Sequence, residues 1–273
     1  MLDTNAITLT DEQELAVKRA LECRVSILTG GPGVGKTTVC NEIIRQAAMK
    51  GWTCALCAPS GKAAKRMQEA TGHSALTIHK LLEATVDPNG DFIFKRNEFD
   101  PIEADLVICD ETSMVTNNLL ADLLRAIDER KTRILFVGDQ NQLPSVGCGA
   151  VLRDMITSGT ISCTELTKIH RNSGSIVRAC HMIKHGKTYE PDKVMDLDKG
   201  ANLVHIETYD QEAILEVIET LVSKNLPARG YDPFWDIQVI SPTNSRTALS
   251  CESLNARLQK VLNPYVVGNH TEQ

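Results

Sequence analysis

Short apolar runs rich in β-branched residues alternate along this chain with longer stretches of helical spacing, the pattern of a parallel sheet with crossover helices. The runs 24–29, 53–58, 105–109 and 133–137 predict strands, as do 163–166, 202–206 and 237–241 further on. Nearly every position in them is apolar, so the predicted strands are covered on both faces. Residues 36–50, 62–70 and 117–129 predict helices between strands, and 149–157, 175–185, 211–223 and 249–262 predict later ones. Pro88-Asn89-Gly90 is a turn signal followed by alternation over Asp91–Lys95, which predicts a small β-hairpin at about 86–100 interrupting the first sheet. The expected fold class is α/β, with a first unit over 1–165 and a second, incomplete unit over 166–273. The second is incomplete because only two or three strands fall in it, too few for a whole domain.

Composition narrows the class. The 273 residues are 42% hydrophobic but 4% aromatic, which suits an α/β core better than a β-sandwich. No apolar run approaches the roughly 18 residues of a membrane span, and the first residues lack a basic-then-apolar leader. The nine cysteines are odd in number, and the C-x-x-C of Cys54 and Cys57 lies inside a predicted strand with no second such pair. They read as reduced core thiols of a cytoplasmic protein. A net charge of −6 excludes a protein that coats nucleic acid through bulk positive charge, so any such binding rests on particular residues.

Those particular residues begin with Thr29–Thr38, TGGPGVGKTT. Gly30, Gly35, Lys36 and Thr37 fit G-x-x-x-x-G-K-[ST], directly after a predicted strand and before a predicted helix. Glycines let backbone N–H groups converge on phosphate oxygens, and the helix start points its positive dipole end at the same anion. Gly31, Pro32, Gly33, Val34, Gly35, Lys36, Thr37 and Thr38 are therefore the expected nucleotide-binding residues. Lys36 would neutralise the β- and γ-phosphates of ATP, and the Thr37 hydroxyl would bind Mg²⁺.

A second chemical site follows the strand at 105–109, which opens into Asp110 and Glu111. In an open α/β sheet, side chains at the C-terminal ends of strands face the ligand crevice. Asp110 would hold Mg²⁺, and Glu111 would orient and deprotonate the attacking water. The strand at 133–137 opens likewise into Gly138-Asp139-Gln140-Asn141-Gln142, where the neutral amide of Gln142 could sense the γ-phosphate without adding charge.

These residues and others beside them resemble the RecD-like superfamily 1 DNA helicases. The resemblance is carried by GGPGVGKTT, APSGKAAKRM at 58–67, TIHKLL at 77–82, VICDETSM at 107–114 and GDQNQLPSVGCGAVLRDM at 138–155. LTKIHRNSGSIV at 166–177 and the late segment 239–264 continue it in order, nearly to the end of the chain. It implies a RecA-like first lobe, a second RecA-like lobe beginning near Leu166, and ATP-driven 5′-to-3′ movement on single-stranded DNA. Carried over by position, it implies adenine reading by Gln13 and a catalytic cationic finger at Arg171. Gln13 also stands at the right offset from Thr10 to close a helix capping box, and both roles can hold. It further implies DNA contacts at Pro59, Ser60, Gly61, Lys62, Thr77, His79, Pro242, Thr243 and Asn244, with charge from Lys62, Lys65 and Arg66. The hairpin falls where this family carries a strand-separating pin.

The chain departs from the family in places. His170 and Asn172 flank Arg171 where Tyr and Gln are commoner, and Thr112 stands in place of a small Ala. Nothing corresponds to the last two family motifs, a Gln-Gly loop and a second catalytic Arg. The expectation is a further helicase segment or a partner subunit supplying them, with weak ATP hydrolysis and no unwinding by this chain alone. Two other readings stay open: a nucleotide-gated DNA-binding or scaffold protein, and another P-loop ATPase of the AAA type.

Overall fold

Residues along the strands alternate between two apolar clusters, and that alternation sets the architecture. The computed structural model describes residues 9–90, 92–168, 174–197 and 199–263. Its chain forms two compact units, Met1–Leu203 and Val204–Gln273.

The first unit contains a six-stranded sheet of β1 (Val25–Gly30), β2 (Cys54–Ala58), β3 (Ala75–Thr77), β6 (Leu106–Cys109), β7 (Arg133–Gly138) and β8 (Ser162–Leu166), in the order β3-β2-β6-β7-β1-β8. Every pairing in it is parallel. All strand C-termini therefore lie along one edge. Leu28, Leu56, Leu106, Ile108, Leu135 and Val137 face one cluster, shared with helices α1 (Asp11–Glu22) and α2 (Lys36–Met49) and with Met67 of α3 (Gly61–Thr71). Ile27, Cys57, Val107, Cys109, Ile134 and Phe136 face the other, with residues of α4 (Ile78–Leu81), α5 (Asn117–Arg125) and α6 (Val151–Ser158). A strand covered on both sides has no polar positions to spare, which is why these runs read as continuously apolar.

The expected hairpin forms between β4 (Ala84–Val86) and β5 (Phe92–Phe94), with Thr85 opposite Ile93. After β8 the chain enters α7 (Gly174–Lys184), whose Ser175 and Ile176 N–H groups donate to the Gly200 carbonyl and the Asn202 side chain.

The second unit contains α8 (Gln211–Thr220), a π-helical turn over Leu221–Asn225, and α9 (Cys251–Leu262). Arg257 on α9 donates to Glu219 and Glu212 on α8, each at 2.7 Å. The expected strands at 202–206 and 237–241 do not form. Asp196 and Ala201 make an isolated antiparallel bridge instead. Ile206 and Ile240 are exposed, and β-branched residues extend into a strand only where a neighbour accepts their ladder.

Candidate nucleotide site

β1 delivers the chain to Gly30 against β8, whose Leu166 carbonyl lies only 2.8 Å from where a Cβ on Gly30 would stand. The loop then turns through Gly33 at φ 77° and Gly35 at φ 91°, left-handed conformations that glycine adopts at little cost. α2 begins at Lys36 with no side-chain cap, so its first N–H groups are open to an anion. Lys36 Nζ donates back to the Gly30 and Gly31 carbonyls, at 2.6 and 2.9 Å. Its charge is thus held over the loop. Thr37 is exposed on the first turn of α2.

The register of the sheet brings the acidic pair to the same edge. β7 lies between β1 and β6, and Asp110 leaves β6 with its N–H bonded to the Cys57 carbonyl of β2. Glu111 N–H donates to Asp110 Oδ1 at 2.8 Å, and Glu111 itself sits at φ 51°, a strained conformation for a residue with a side chain. Burial pushes the Asp110 carboxyl up, while the Glu111 N–H and the Lys36 charge pull it down. Glu111 is raised by burial and then by Asp110, with a smaller push from Asp139; Lys36 and Arg66 oppose this. Lys36, Asp110 and Glu111 therefore lie within electrostatic reach of one another. A raised, partly buried carboxyl suits a general base.

Asp139 is buried and organises the next loop. Its Oδ1 accepts from Asn141 N–H at 2.9 Å, and its carbonyl accepts from Gln142 N–H at 3.1 Å. The Gln142 side chain is exposed above this turn.

Gln13 closes the capping box with Thr10, its Oε1 accepting from Thr10 N–H at 3.1 Å. Its Nε2 also donates to the Val34 carbonyl at 3.4 Å, so helix α1 touches the phosphate loop through a buried amide. One residue earlier, the Glu12 carboxylate accepts from Thr167 N–H and Oγ1–H at 2.9 and 2.6 Å. Further along α1, Arg19 donates to the Thr164 hydroxyl at 3.0 Å. Nothing in the sequence marked the Glu12–Thr167 and Arg19–Thr164 pairings, since each joins residues far apart in the chain. Arg66 was expected only as a charge for DNA, yet it also acts on Glu111.

Among the expected DNA contacts, Pro59, Ser60, Gly61 and Lys62 lie where β2 passes into α3, and Thr77 and His79 where neighbouring β3 passes into α4. Ser60 and Thr77 are the N-caps of these helices, accepting from Ala63 N–H and Lys80 N–H. The His79 ring packs 4.8 Å from Phe92 of the hairpin. Pro242, Thr243 and Asn244 belong to the second unit, where the Thr243 and Asn244 carbonyls accept from Cys251 and Glu252 N–H at the start of α9. Arg171, with His170 and Asn172, lies outside the described residues.

The donors at the first-unit edge are hard oxygens: one or two carboxylates and a threonine hydroxyl. Among the described residues no cluster of three or more His, Cys, Asp or Glu side chains could hold a metal by itself. That set fits Mg²⁺, which keeps several waters and is completed by nucleotide phosphates, and does not fit a structural zinc site.

The AAA domain family matches residues 8–208. The chain belongs to that family. Within that family the chain is similar to RecD helicases. It is 33% identical over 258 residues to the ATP-dependent RecD2 DNA helicase of Deinococcus radiodurans, covering 94% of this chain and 33% of that protein. It is 35% identical over 236 residues to the RecBCD enzyme subunit RecD of Mycolicibacterium smegmatis, covering 78% of this chain and 41% of that one. This AAA domain chain thus spans about a third to two fifths of the length of these relatives. The Pif1 helicase from Candida albicans shares its fold with a TM-score of 0.52 at 22% identity, over 80% of this chain and 55% of that one. Bacteroides Pif1 in complex with ADP-AlF4 gives 0.50 at 21% identity, over 78% and 56%. At such identities the likeness is one of fold, a RecA-like P-loop sheet flanked by helices.

Proposed function

We propose that this chain is the ATP-hydrolysing motor section of a RecD-like DNA helicase, coupling hydrolysis to 5′-to-3′ movement on single-stranded DNA. The observation that carries this reading is that the glycine loop with Lys36 and the loop with Asp110 and Glu111 leave the same edge of one parallel sheet, where the Lys36 charge acts on both carboxyls. In it, residues 31–38 cradle the phosphates, Lys36 neutralises the β- and γ-phosphates, and Thr37 and Asp110 hold Mg²⁺. When bound, that ion offsets the charge that builds on the transferred phosphoryl group. Glu111 takes the proton of the attacking water, Gln142 senses the γ-phosphate, and Arg171 supplies the finger. Gln13 reads adenine with whatever hydrogen-bonding capacity its contacts to Thr10 and Val34 leave free.

Single-stranded DNA contacts fall to Pro59, Ser60, Gly61, Lys62, Thr77 and His79 of the first unit and, separately, to Pro242, Thr243 and Asn244 of the second. The second unit is part of a second RecA-like lobe that starts near Leu166, and a further helicase segment or a partner subunit completes it. The nine free cysteines fit a reducing cytoplasm, and among the described residues no helix is long and apolar enough to cross a membrane.

The test is the ATPase rate of this chain, and of a C-terminally extended one, with and without single-stranded DNA. Stimulation by DNA supports a motor. Turnover indifferent to DNA would remove the motor and leave a P-loop ATPase of another kind. The nucleotide-gated scaffold reading expects Glu111→Gln to bind DNA and nucleotide as the wild type does, with no turnover in either protein.

A further inference from the structure

The loop that carries Asp110 and Glu111 and the loop that carries Gln142 meet at Gly138, the last residue of β7. A Cβ there would stand 2.7 Å from Leu152 Cδ2 and 3.4 Å from the backbone nitrogens of Thr112 and Ser113. The tight contact is with the Leu152 side chain, and the backbone of the acidic-pair loop lies at about van der Waals distance beside it. Beside the contact is a cavity of about 30 Å³, lined among others by Ser113, Gln140, Gln142, Pro144 and Arg153. It is large enough for one or two waters, but the Ser113 hydroxyl itself is closed off from solvent.

Ser113 is the unexplained residue of this cavity. It is only 7% exposed, and its Oγ has no hydrogen-bond partner among the described residues. A buried hydroxyl without a partner disfavours the folded state in which it is found. Such a group calls for an explanation, and a second state of the molecule that satisfies it is one. Gln142 lies on the same cavity wall and is exposed to solvent. Its amide offers both a donor and an acceptor, and a serine hydroxyl matches either.

We propose that Ser113 is a positioning residue: when Gln142 turns inward to a bound triphosphate, the Ser113 hydroxyl takes one half of its amide and leaves the other half for the γ-phosphate. The bond ties the loop of the acidic pair to the loop of the sensor, so both respond together to a triphosphate and separate on a diphosphate. This rests on the reading of Gln142 as the γ-phosphate sensor.

The experiment measures the affinity of the 273-residue chain for ATPγS and for ADP, both with Mg²⁺, and takes their ratio. The variants are Ser113→Ala, Ser113→Thr, Gln142→Ala and the double Ser113→Ala/Gln142→Ala, each also melted without nucleotide. Ser113→Ala is expected to melt at or above the wild-type temperature, because it removes an unsatisfied group, yet to lose about threefold to tenfold in triphosphate preference. A residue with a purely structural role would move the two quantities in the same direction. Ser113→Thr keeps the hydroxyl and the preference. The double variant is expected to lose no more than Gln142→Ala alone, since both changes break one bond.

Full preference in Ser113→Ala while Gln142→Ala loses it would overturn the proposal and spare the sensor reading. Additive losses in the double variant would also overturn it, assigning the hydroxyl to Arg153 or Gln140. So would a clear fall in the melting temperature of Ser113→Ala, which would reveal a structural partner. Full preference in Gln142→Ala would remove the sensor reading, and the proposal with it.

Discussion

Gly30 and Gly31 are neighbours in the same phosphate loop, yet they should respond oppositely to a methyl group. A Cβ on Gly30 would stand 2.8 Å from the Leu166 carbonyl oxygen and 2.8 Å from Val34 Cγ2. The second contact is about 0.7 Å short of the optimum for two carbons. Neither neighbour can withdraw easily: Leu166 is backbone in register with Gly30, and Val34 is buried. Overpacking of this kind costs roughly 1–3 kcal/mol, and the rigid backbone partner places Gly30→Ala in the upper half of that range. For a unit of about 200 residues this lowers the melting temperature by about 4–12 °C. A Cβ on Gly31 meets no atom within 4 Å, so Gly31→Ala is expected to stay within about 0.5 kcal/mol of wild type. Thermal and urea melts of the nucleotide-free proteins read both. A Gly30→Ala protein as stable as wild type, or a Gly31→Ala protein less stable than Gly30→Ala, would refute the packing of the loop against β8.

Three other outcomes follow from the described contacts. In the C-terminally extended chain, Glu111→Gln should retain nucleotide binding while turnover falls by about 10²–10⁴-fold, read by equilibrium binding beside steady-state ATPase. Phe136→Ala empties a site only 1% exposed at the centre of the sheet and should cost about 3–5 kcal/mol in urea unfolding. Hydrogen bonds from Thr167, hydroxyl first and N–H second, hold the Glu12 carboxyl below its ordinary range. A depressed pKa adds stability that is present above the unfolded value and lost as the pH falls through the folded one. The melting-temperature gap between wild type and Thr167→Val should therefore be constant near neutrality and close below about pH 4.

The first unit was largely legible because its strands are buried on both faces: five predicted runs correspond to β1, β2, β6, β7 and β8 within a residue or two. β3 and α4, of three and four residues, were not anticipated, being too short to show a period. The runs at 202–206 and 237–241 misled for the opposite reason. Their composition favours a strand, but a strand is a pairing, and among the described residues no neighbour pairs with them as a ladder.

At the candidate nucleotide site, the glycine-rich motif pointed to Lys36 and the end of a strand pointed to Asp110 and Glu111, and parallel order brings the two segments to one edge of the sheet. The sequence could not announce Ser113. Its buried, unmatched hydroxyl is a property of the packing around Gly138 and invisible in VICDETSM. The same holds for Gln13, whose offset from Thr10 spelled a capping box and said nothing of the Val34 carbonyl.

β8 ends the sheet and shares a ladder with β1 alone, and Glu12 and Arg19 of α1 grip its exit and its middle. Peeling away that one helix would leave the strand fastened on a single side, so amide exchange should wake there before it reaches β6 or β7. A helix whose second residue grips the outermost strand and whose third reaches the glycine loop makes loosening at either place audible at the other.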